Sequence, residues 1–118
     1  MRSTESSPSA HLPARLKVRF EELRAAYLAR LEGDRAHLLE LRMNLGGSGS
    51  AAAYEKIQRV AHGMAGAAAV FETFDVARAA RRLSVSAFAA VQTPGAEADA
   101  GLRRELDALV DLLRSVGA

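Results

Sequence analysis

The sequence predicts an all-α protein, an antiparallel four-helix bundle with an additional N-terminal helix. Three observations lead there. Apolar residues recur at spacings of three and four along most of the chain, and no stretch alternates apolar with polar residues between hairpin turns. Breaks rich in glycine, serine or proline cut the chain into pieces of helical length. With 118 residues, 49% of them hydrophobic and 25% charged, the chain suits one domain with a buried core. We assign residues 11–118 to that domain and residues 1–10, MRSTESSPSA, to a mobile polar tail.

Pro13 fits the first turn of a helix, where its missing N–H costs nothing. Leu16, Phe20, Leu23, Tyr27 and Leu31 then mark one apolar stripe, and Gly33 reads as its end. Lys17, Arg19, Glu22, Arg24 and Arg30 form a solvated face. Asp34 is a suitable N-cap for a second helix to about Leu45, with Leu38, Leu39, Leu41, Met43 and Leu45 apolar enough to touch two neighbours. Gly46-Gly47-Ser48-Gly49-Ser50 is a flexible inter-helix loop whose last serine can cap the next helix.

The third helix is expected from Ala51 to Phe71, with Ile57, Val60, Ala61, Met64, Ala68 and Phe71 inside. Thr73 or Asp75 caps a fourth helix to about Val91, buried along Val76, Ala80, Leu83 and Ala87. After the Gln92-Thr93-Pro94-Gly95 turn, Leu102, Leu106, Leu109, Leu113 and Val116 give a fifth helix the spacing of a bundle neighbour.

The composition removes several functions. No cysteine is present, so thiolate nucleophiles, thiolate metal sites and disulfides are excluded. Aromatic residues make up 5% and the net charge is only +2, which gives little for stacking on or neutralising nucleic acid. No apolar run has the length of a spanning helix or of a signal peptide, so no membrane association and a cytoplasmic location are expected. The length suits a self-contained monomer.

The unusual stretch is Arg59 to Phe71, RVAHGMAGAAAVF. Two glycines stand close to one titratable side chain inside a helix, where each costs roughly 0.5 to 1 kcal/mol relative to alanine. At the helical turn, His62 lies roughly 140° from the centre of the apolar arc. It shares its outward side with Glu55, Arg59, Gly66 and Ala69. A histidine pointing to solvent beside a residue without a side chain leaves room for a partner to come close.

His62-Gly63-Met64-Ala65-Gly66, on a mid-bundle helix in a domain of this size, resembles the His-x-Leu-Lys-Gly signature of histidine-containing phosphotransfer (HPt) domains. The helix order matches over roughly Leu16 to Val116, although the five residues are the specific part. The resemblance implies that His62 accepts a phosphoryl group and that Gly66 admits a response-regulator receiver domain. It implies a receiver or a hybrid histidine kinase as partner, with Mg²⁺ only in the receiver's acidic pocket and no cofactor in this chain. The lysine of the family pattern is Ala65 here. Arg59, one turn before His62, and Arg78, Arg81 and Arg82 on the fourth helix are candidate replacements, with Gly63, Ala65 and Ala69 completing the expected docking surface. The alternative is an HPt-like adaptor that binds a receiver or kinase without efficient transfer.

Other readings fit less well. The residue three before His62 is Arg59 rather than glutamate, and His11 and His37 lie on other segments, so a di-metal bundle is not indicated. Gly63 to Gly66 imitates the GxxG loop of KH domains, but within a helix and without a sheet. A sensor-kinase dimerisation helix would place an acidic residue where Gly63 stands.

Overall fold

A computed structural model describes residues 13–116. The tail assigned to residues 1–10 and the first two positions of the assigned domain lie outside the described residues. Four helices follow one another: α1 (Ala14–Arg42), α2 (Ser50–Val70), α3 (Phe74–Gln92) and α4 (Ala96–Ser115). Among the described residues there is no strand, and no helix is long and apolar enough to cross a membrane.

The helix count corrects the expected five, because the separate N-terminal helix and its successor are one rod through Gly33 and Asp34. Those two residues carry stop and start signals, yet the local energetics favour continuation. Leu31 and Leu38 are seven residues apart and both buried, so a break between them would rotate one out of the core. Asp34, instead of capping, lies 3.8 Å from Arg30 one turn back, and Arg35 donates to Glu32 at 2.6 Å across the same turn. Against this the glycine costs about 1 kcal/mol.

Short connections make successive helices antiparallel, and side-chain bonds report which ends meet. Arg42 at the end of α1 donates to both carboxylate oxygens of Asp107 on α4, at 2.8 and 2.9 Å. Arg103 donates to the Leu45 carbonyl at 2.9 Å, tying the turn that follows α1 to α4. The approach is tight at Gly46, whose φ of +91° already favours glycine and where a Cβ would stand 2.7 Å from the Arg103 guanidinium. At the same end the buried Tyr54 of α2 donates to the buried Asp99 of α4 at 2.6 Å.

The opposite end is closed by the α2–α3 turn. Thr73 N–H reaches the Ala68 carbonyl at 2.9 Å and Glu72 N–H the Ala69 carbonyl at 3.3 Å, the paired bonds of a Schellman motif. That motif holds Glu72 at a φ of +60°. Tyr27 stacks on Phe71 with ring centroids 4.6 Å apart, and its hydroxyl lies 2.5 Å from Thr73 Oγ1. The expected threonine cap is therefore absent: Thr73 Oγ1 is engaged with Tyr27 and the Ala68 carbonyl instead.

The core is built from Leu31, Leu38, Ile57, Met64, Leu83, Leu102, Leu106 and Leu109 with alanines between them. Small residues on α2 and α3 let those two helices approach closely. Two expected stripes are only half covered. Leu39 and Met43 face solvent, and so do Leu16, Phe20 and Leu23, the last three 45%, 37% and 45% exposed. For Leu16, Phe20 and Leu23 the cause is length. α1 has 29 residues, about 43 Å of helix, whereas α2 has 21, so the first three turns of α1 pass beyond the bundle. Phe20 still touches the bundle edge, 6.0 Å from the Phe71 ring. The overhang makes the molecule 60 × 21 × 20 Å.

Candidate functional site

His62 sits midway along α2, with Ile57, Ala61, Met64 and Ala68 holding the opposite side of the helix in the core. Burial of those four fixes the rotation of α2, which turns His62 to solvent as the periodicity predicts. Glu55, Arg59, Gly66 and Ala69 are exposed on the same strip, and among the described residues His62 makes no side-chain hydrogen bond. The imidazole is thus free to meet a partner.

The two glycines beside it differ. At Gly66 a Cβ would have nothing within 4 Å, so the position opens directly onto solvent one turn from the imidazole. At Gly63, half-buried, a Cβ would stand 3.0 Å from a terminal nitrogen of Arg30. The Arg30 guanidinium therefore crosses from α1 and lies over the residue next to His62. Its carboxylate neighbour is Asp34, at a loose 3.8 Å. Burial pushes the Asp34 carboxyl up from its ordinary range, with Arg30 and His37 pulling the other way.

Of the remaining expected residues, Ala65 is buried at 8% exposure and belongs to the core cluster. Arg59 is exposed and makes no ion pair among the described residues. The α3 arginines are exposed but differently engaged: Arg78 pairs with Asp75 on its own helix, and Arg82 turns towards Glu105 of α4 at 3.8 Å. Arg81 makes no ion pair among the described residues. The strip around His62 is thus assembled from α2 and α1, with Arg30 as the member that sequence reasoning left on a solvated face. Only the register of α1 against α2 could have revealed it, and periodicity within one helix carries no such register.

The surface is open, not cleft-like. The best-formed hollows lie around Pro94–Gly95, beside Gly46–Ser50 and Arg103, and against Glu72–Val76, and His62 lines none of them. An exposed imidazole outside these hollows suits a macromolecular surface better than an enclosed small molecule. Among the described residues no three His, Asp or Glu side chains gather as metal ligands would. Comparison with protein-family models, with curated proteins and with solved structures found no match for this chain.

Proposed function

We propose that the protein is a histidine phosphotransfer domain whose His62 exchanges a phosphoryl group with the aspartate of a receiver domain. The carrying observation is the pairing of an exposed, unengaged imidazole with the open space at Gly66 one helical turn away. Alanine would strengthen the helix at that position, so a glycine there fits a surface kept clear for an approaching protein backbone.

The chemistry asks little more of this chain. A neutral imidazole nitrogen attacks the phosphorus of an aspartyl phosphate, and an N–P bond forms as the P–O bond to the aspartate breaks. The carboxylate leaves with the electron pair, and the proton on the other ring nitrogen passes to solvent. Transfer of this kind rests on alignment and on neutralising the moving charge, and the receiver's own acidic pocket would contribute Mg²⁺. A receiver domain, alone or within a hybrid histidine kinase, is the partner this reading implies.

A second reading, an adaptor that binds such a partner without efficient transfer, is favoured by Ala65, which brings no cation to the position and is itself buried. Incubation with phosphorylated receivers separates the two. The transfer reading expects acid-labile label on the wild-type protein and none on His62→Ala, with equal helicity in both. Measurable receiver binding with no label from any cognate receiver would instead establish the adaptor.

A further inference from the structure

We infer that Arg30, reaching from α1 across Gly63, binds the phosphoryl group carried by His62 and supplies the cation that Ala65 does not. The inference rests on the phosphotransfer reading and deepens it.

The groups around the imidazole are unevenly distributed. On an α-helix Gly63 is turned about 100° from His62, and Arg59 and Gly66 are turned about 60° and 40° the same way. Ala65 is turned about 60° the other way, and there the helix is already entering the core. One flank of the imidazole is therefore closed by packing. The other gathers the open Gly66, the exposed Arg59 and the guanidinium lying over Gly63.

Gly63 acquires a reason in this arrangement. A half-buried helical position between two packed helices would ordinarily hold alanine or something larger, yet a Cβ here would come within 3.0 Å of Arg30. The missing side chain leaves the guanidinium room over the residue next to His62. A planar guanidinium can donate two parallel N–H bonds to phosphoryl oxygens, which a point-charge ammonium cannot do in the same geometry. Arg30 is also available. Its side chain is 58% exposed, and its one ion-pair partner among the described residues, Asp34, is 3.8 Å away and at most singly charged, weaker competition than a phosphoryl dianion.

The test uses the full chain and phosphoramidate, a small donor that requires no receiver. The donor's P–N bond breaks, ammonia leaves, and an N–P bond forms to His62. Formation and loss of phosphohistidine are followed by phosphorus NMR, with His62→Ala as the blank. Arg30→Ala should slow formation about tenfold, as expected for loss of a charged hydrogen bond, and Arg30→Lys should recover only part of the rate. Gly63→Ala should slow formation more weakly, because its methyl group obliges the guanidinium to shift by a few tenths of an ångström, and equal helicity by circular dichroism excludes poor folding as the cause. If the wild type is labelled and both Arg30→Ala and Gly63→Ala are labelled equally fast, Arg30 has no such role while the phosphotransfer reading stands. A wild type that takes no label at His62 from phosphoramidate or from receivers overturns both.

Discussion

Substitution at Gly66 should move stability and transfer in opposite directions. Gly66→Ala adds a methyl group where nothing lies within 4 Å, so no contact is strained and the helix-propensity difference is realised in full. That difference is about 1 kcal/mol for an exposed helix interior. For a domain of this length it raises the thermal midpoint by about 4 °C, measurable by circular dichroism. Gly66→Leu has nearly the same propensity advantage and should melt close to the alanine variant. In transfer it should differ sharply, because the isobutyl group fills the space through which a receiver would reach the imidazole. A displacement of the reacting groups by about 1 Å costs on the order of a hundredfold in rate. The decisive assay is phosphoryl transfer from a receiver at matched folded fractions. A lower melting point for Gly66→Ala would mean that the position is not open, and an undiminished rate for Gly66→Leu would mean that its openness serves no docking partner.

Two further predictions concern the ends of the bundle. Glu72→Gly should raise stability by about 1 kcal/mol, since the left-handed conformation at φ +60° is one that only glycine adopts without cost. The check is a higher denaturant midpoint with an unchanged slope. Tyr54→Phe should lower stability by about 1–3 kcal/mol by stripping the buried Asp99 carboxylate of its donor. The pH dependence carries its own signature: burial, then the bond to Asp99, raise the Tyr54 hydroxyl above its ordinary 10.0, so the folded state holds that proton longer than the unfolded state. Tyr54 thus contributes stability below pH 10 that is lost as pH rises towards its folded value, and denaturation series on the phenylalanine variant should lack that alkaline decline.

The parts of the fold visible in the sequence are those set within single helices. Leu102, Leu106, Leu109 and Leu113 lie buried as their spacing requires, and the outward direction of His62 followed from Ile57, Ala61, Met64 and Ala68. Gly33-Asp34 misled because stop and cap residues act over one turn, whereas the Leu31–Leu38 seam that overrides them acts over two. Leu16, Phe20 and Leu23 misled for another reason. Periodicity states which face of a helix is apolar, but not whether a neighbour is long enough to cover it. Arg30 needed inter-helix register, which no pattern along one chain segment encodes.

The overhang divides α1 into two regimes of local stability. From Ala14 to Ala26 every residue is exposed, and about a dozen residues of isolated helix are marginal in water. At Tyr27 the situation changes within one turn, through the stack on Phe71 and the bond to Thr73. Amide protons before that residue are released by fraying, at little free-energy cost, while those after it require opening of the bundle itself. The cooperative folding unit therefore begins near Tyr27 rather than at the first helical residue. The segment ahead of it can melt and re-form without disturbing His62, which is anchored by a different set of contacts on α2.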